Sequence, residues 1–252
     1  MGAVWAAVVW HLLHAIASCA AILQRFLDGI AIAIGSVRFA WRSVTKKPRV
    51  VAIVVDGESA RKCRDEIVEL LVFLAAAGIR QVALYDMEGI LKRYGTYLEK
   101  RVVSSTWKRQ LKHDFHFSNG VDPFPRSNPI RTKSEPRMVV ELLSMSDGKN
   151  AIAEAARRIH DDLRGSSRQD QLERINSLTE TDVNESLKQI GRWKPDPELM
   201  LVFGKINSVQ GFPPWRIKLT EIIYMGELRR NIDSSLSYAL QAYSGKTHRY
   251  GC

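Results

Sequence analysis

Three groups of residues in this 252-residue chain could handle an oxyanion or a hard cation. The first, Asp56-Gly57-Glu58-Ser59-Ala60-Arg61, follows the apolar run Val50 to Val55. Carboxylates at a strand end can hold a divalent ion, and a guanidinium nearby can grip the anion that the ion neutralises. The second is Glu221, a lone carboxylate in a late apolar stretch. The third is Arg249-Tyr250-Gly251, one residue from the C-terminus: a guanidinium offers two parallel donors, and a glycine lets successive amides curl around an oxyanion. Each has a plainer reading, respectively a strand-to-helix turn capped by Asp56, an ordinary strand-end glutamate and a basic tail. His11/His14 and His113/His116 have the i, i+3 spacing that metal ligands use, but neither pair has a third ligand in sight. Cys19, Cys63 and Cys252 are scattered without a C-x-x-C pair, which argues against a disulfide framework or zinc site and for a reducing compartment.

The elements that must position these groups are legible from periodicity. Val50 to Val55, Gln81 to Tyr85, Met138 to Leu143, Leu199 to Phe203 and Ile217 to Tyr224 read as strands. Helical spacing occupies Arg64 to Ala77, Asp86 to Tyr97, about Asn150 to Leu163, Thr181 to Ile190 and Asp233 to Tyr243. The alternation predicts an α/β fold with a mostly parallel central sheet flanked by helices. Phe117 to Arg137, with four prolines, reads as a loop.

The formal net charge of +10 suggests nucleic acid at first, but residues 1 to 49 hold six basic residues against Asp28 alone. Those cations follow Ala3 to Leu23, an apolar run interrupted only by His11, His14 and Ser18, which as a helix extends about 30 Å and can cross a bilayer. Basic residues after such a run face anionic headgroups, so a membrane partner is expected and nucleic acid is not. The same charge asymmetry places the globular part in the cytoplasm. Residues 1 to 46 therefore read as a membrane anchor, with a transmembrane helix over about 3 to 23 and an interfacial segment over about 26 to 42. Gly29 to Val37 is too short to span. Residues 47 to 252 form the second domain.

Pro197-Glu198-Leu199-Met200-Leu201-Val202-Phe203-Gly204, Pro214-Trp215-Arg216-Ile217-Lys218-Leu219-Thr220-Glu221-Ile222 and Arg249-Tyr250-Gly251 resemble the C-terminal part of the cis-prenyltransferase family. The resemblance is strongest to its non-catalytic, Nogo-B-receptor-like branch, and it runs through nearly all of Val50 to Cys252, by pattern alone between Gly89 and Gly191. It implies an undecaprenyl-diphosphate-synthase-like sheet. In the family, a Asp-Gly-Asn-x-Arg loop holds magnesium and the allylic diphosphate, and an Arg-x-x-x-x-x-Arg-x-Ser signature holds isopentenyl diphosphate. Here Asp56 and Gly57 match, but Glu58 and Ala60 replace the asparagine and arginine. Val202, Ser208 and Gln210 replace the second signature. Glu221 and the Arg-x-Gly tail are retained.

The resemblance thus implies a non-catalytic subunit of a heteromeric dehydrodolichyl diphosphate synthase in the endoplasmic reticulum membrane. Magnesium would be bound mainly by the catalytic partner, with Asp56 and Glu221 as weak metal candidates here. Arg249, Tyr250 and Gly251 would reach the isopentenyl diphosphate in the partner's active site. Two rivals stand beside it: an autonomous cis-prenyltransferase using Asp56, and a membrane receptor or scaffold outside the pathway.

Overall fold

A computed structural model describes residues 46–108, 114–119, 137–165, 167–192, 194–230 and 232–246. The expected anchor, His11, His14, His113, most of the proline-rich segment and the Arg249-Tyr250-Gly251 tail lie outside them. No helix among the described residues is long and apolar enough to cross a membrane.

Among the described residues six strands form one parallel sheet in the order β3-β4-β2-β1-β5-β6. They are β1 (Val50–Val55), β2 (Gln81–Asp86), β3 (Asp114–Ser118), β4 (Arg137–Leu143), β5 (Leu199–Phe203) and β6 (Glu221–Gly226). β1 and β5 are buried throughout, as strands covered on both faces must be, and their unbroken Val/Ile/Leu runs are the sequence expression of that burial. Side chains alternate across the sheet. Val51, Ile53 and Val55 point into the larger core, packed by α2 (Arg64–Ala76), while Ala52, Val54 and Val202 face a smaller cluster closed by Phe212 and Tyr85.

The other helices are α1 (Gly57–Lys62), α3 (Ile90–Arg93), α4 (Gly95–Lys108), α5 (Lys149–Asp162), α6 (Arg168–Asn176), α7 (Glu180–Gln189) and α8 (Asp233–Gly245). α4 and α8 bury Leu98, Val102, Leu236 and Leu240 in the larger core. α5 and α7 form a satellite cluster through Ala151, Ala155 and Leu187, against which Trp215 packs.

The structure departs from the sequence expectations in several places. The expected loop begins too early, because Phe117 and Ser118 complete the edge strand β3. The last strand starts at Glu221 rather than Ile217. Pro214–Arg216 form a 3-10 turn and the Thr220 hydroxyl donates to the Pro197 carbonyl at 2.7 Å, which holds the preceding residues out of the ladder. The helix expected over Asp86 to Tyr97 is divided: Asp86 is the last residue of β2, Gly89 is left-handed, α3 covers only Ile90–Arg93, and α4 runs on past Tyr97 to Lys108. α6 buries no residue, so it leaves no apolar period to read.

Candidate functional site

The strand order reverses between β1 and β5. The chain builds outward from β1 through β2, then returns to the other side of β1 for β5 and β6. In an open α/β sheet, the crevice beyond the carboxyl ends of such a pair is the usual ligand site. Two loops meet there, one after each strand, and the Asp56 N–H donates to the Phe203 carbonyl at 3.2 Å.

Asp56 caps α1, with its Oδ1 accepting from the Ser59 N–H at 2.7 Å. Gly204, at φ +151°, lies flat against it. A Cβ there would stand 3.0 Å from Asp56 Oδ2 and 3.2 Å from its Cβ, so only glycine allows this approach. Ala60, at the position where the family motif has arginine, is fully buried in the core.

The cations of this corner are already committed. Glu58 receives Lys62 Nζ at 3.0 Å and Lys205 Nζ at 3.1 Å, and these hydrogen bonds, Lys62's first, pull its carboxyl down to about 2. Arg61 turns away from the loop onto Glu88, in a two-pronged pair of 2.7 and 2.9 Å. Glu88 itself leans over Gly57, its Oε1 lying 2.1 Å from where a Cβ would be. An incoming diphosphate would therefore meet two carboxylates whose cationic partners they already hold.

The neighbouring strand ends are filled in the same way. Asp86, the fully buried last residue of β2, accepts from the N–H groups of Ile90 and Leu91 at 2.8 and 2.9 Å and so satisfies the first amides of α3. Asp147 accepts from the Ser144 N–H at 2.8 Å, from Arg192 at 3.1 Å and from Lys92. These carboxylates serve the fold.

Glu221 and Asp56 are not brought together. Glu221 pairs with Leu199, which pairs with Val51, so Glu221 stands level with the start of β1. Asp56 follows the other end of that strand, roughly 16 Å further along. The Glu221 carboxylate instead pairs with Lys246. Among the described residues no group of three His, Cys, Asp or Glu side chains is placed to hold a metal ion. The two candidate carboxylates thus stand at opposite ends of the sheet, and Asp56 has no set of acidic ligands beside it with which to hold magnesium among the described residues.

Val202 is buried beside Ala52, Val54 and Tyr85, so the residue in the arginine position packs against the chain's own sheet face. Ser208 is exposed, and its hydroxyl accepts from the Gln210 N–H at 3.2 Å. Gln210 adopts a left-handed φ of 51°, and its carbonyl accepts from the Tyr85 hydroxyl at 2.8 Å. Sequence reasoning missed Lys205 and Glu88, which are distant in sequence from the residues they pair with. The Glu58/Lys62 contact was readable from its i, i+4 spacing.

The site is thus a strand-end crevice at the reversal point of a parallel α/β sheet, with no arginine at positions 60, 202 and 208. The chain shares its fold with lavandulyl diphosphate synthase from Lavandula x intermedia (TM-score 0.53, 18% identity, 81% of this chain and 98% of that one). No family model matches. The chain is similar in sequence to the Nus1 subunits of dehydrodolichyl diphosphate synthase complexes. It is 29% identical to the Mus musculus subunit over 217 residues, which is 83% of this chain and 68% of that protein. To the Homo sapiens subunit it is 29% identical over 235 residues, or 88% and 74%.

Proposed function

We propose that this chain is the non-catalytic, activating and membrane-anchoring subunit of a heteromeric cis-prenyltransferase. The complex condenses isopentenyl diphosphate onto farnesyl diphosphate to make dehydrodolichyl diphosphate, the dolichol precursor for protein glycosylation at the endoplasmic reticulum. The observation that carries this reading is the state of the β1/β5 crevice. Its arginine positions are Ala60, Val202 and Ser208, and its remaining cations are neutralised by Glu58 and Glu88. The catalytic partner supplies the magnesium ligands and diphosphate arginines, and this chain supplies the anchor, the interface and the tail.

The β6 edge, which no other strand among the described residues covers, supports a partner. On β6, Ile222, Ile223 and Met225 are only half-buried and Tyr224 is 46% exposed; beyond it on α8, Tyr238 is 71% exposed. An apolar edge strand with unpaired backbone groups is a template for another chain. From Lys246 the remaining six residues can extend about 20 Å, enough to cross an interface and bring the Arg249 guanidinium and Gly251 amide to the partner's diphosphate.

The test is co-expression with a catalytic cis-prenyltransferase. This chain alone, given both diphosphates and magnesium, should elongate nothing. The pair should exceed the partner alone, and Arg249→Ala should lower turnover of the assembled pair about 100-fold, as expected for a lost oxyanion contact. Elongation by the chain alone that Asp56→Ala abolishes would establish the autonomous enzyme instead. An Arg249→Ala pair with unchanged turnover would leave only the scaffold role.

A further inference from the structure

At the opposite end of the sheet from the β1/β5 crevice lies a cavity of about 870 Å3. It opens between the amino ends of β1, β2 and β5, where the register sets Val50 beside Gln81 and Val51 beside Leu199. Its charged lining is Lys47, Arg49, Arg80 and Lys218 against Asp196 and Glu198, an excess of two positive charges. Arg49 is held by Glu198 at 2.8 Å, and Lys218 by Glu180. The exposed Arg80 guanidinium has no ion-pair partner among the described residues. At the lip, Leu219 is 62% exposed beside Lys218, an apolar side chain flanked by a cation.

The chain enters the fold on this face. Lys47 and Arg49 line the cavity and are also the last members of the basic series Arg25, Arg38, Arg42, Lys46, Lys47, Arg49 that follows the apolar run Ala3 to Leu23. We propose that this cavity binds the phosphate of an anionic phospholipid headgroup, with Arg80 as its principal donor, Lys47 adding positive charge at the rim and Leu219 dipping toward the acyl boundary. The volume suits a headgroup with its glycerol. Guanidinium and ammonium groups supply the charge-assisted donors that a phosphate requires, and an anionic leaflet attracts each basic residue by about a fivefold factor in binding. The inference rests on the membrane-anchor part of the proposed function for the nearness of a bilayer, but neither the partner chain nor turnover enters its test.

The full chain in neutral detergent is titrated calorimetrically with dihexanoyl phosphatidic acid, dihexanoyl phosphatidylcholine and inorganic phosphate. Saturable binding of the phosphatidic acid is expected, at least tenfold tighter than either other probe. Arg80→Ala should weaken it about fivefold and Arg80→Ala with Lys47→Ala about 25-fold, with unchanged melting because both side chains are exposed. Equal binding by the double variant, or equal binding of phosphatidylcholine, overturns the proposal. Inorganic phosphate binding as tightly as the lipid also overturns it, in favour of a soluble anion.

Discussion

Gly204 sets the geometry of the crevice through an absence. Its backbone, at φ +151°, passes so close to the Asp56 carboxylate that a methyl group must displace either the cap of α1 or the β5 loop. Gly204→Ala should cost about 2 kcal/mol in urea unfolding, from backbone strain plus the disturbed cap. Gly57→Ala is the control: the clashing atom there is the end of the exposed Glu88 side chain, which can swing away, so the loss should be under about 1 kcal/mol. Tyr85 shows the opposite economy, a buried hydroxyl that reaches one carbonyl, that of Gln210. Burial, with the nearby Asp86 charge, pushes its phenol up to about 12. Because the folded value lies above the ordinary one near 10, its contribution is complete below pH 10 and is lost as the pH rises from there through about 12. Alkaline unfolding should steepen in that window. Tyr85→Phe should flatten it and cost about 1 kcal/mol at neutral pH.

Among the elements, β6 carries the interaction argument. Ile223 and Met225 pack against the larger core and Ile222 against the smaller cluster, while Tyr224 is left facing outward. Tyr224→Asp should therefore leave the melting of the isolated chain nearly unchanged. It should weaken association with the catalytic subunit at least tenfold by calorimetry, since a charge placed in an apolar contact must be desolvated. The segment before β6 has a different task. Arg216, buried, donates to Glu141 of β4 at 2.9 Å and to the Pro195 carbonyl at 3.1 Å, tying the 3-10 turn beneath the sheet. The Pro214-Trp215-Arg216 stretch that stood out in the sequence is thus a fastening, with Trp215 closing the α5/α7 cluster. A buried pair of this kind costs more when one partner is removed than it gains when both are present.

For the whole molecule, the sequence by itself determined the layered parallel fold, because strands buried on both faces need continuous runs such as Val50 to Val55 and helices need one apolar stripe. It also determined the capping role of Asp56 and the missing arginines, which are matters of residue identity and local spacing. It could not give β3 or α6, where one strand lies at the sheet edge and one helix buries nothing, so neither is compelled to show an apolar period. Only the tertiary structure decided that Glu88 covers Gly57, that Lys205 answers Glu58, that Glu221 stands at the far end of the sheet from Asp56, and that Lys47 meets Arg80 in one cavity. Periodicity records which face of an element is buried. Pairings between residues far apart in the chain follow from strand order and register, and these are fixed only when the whole sheet assembles.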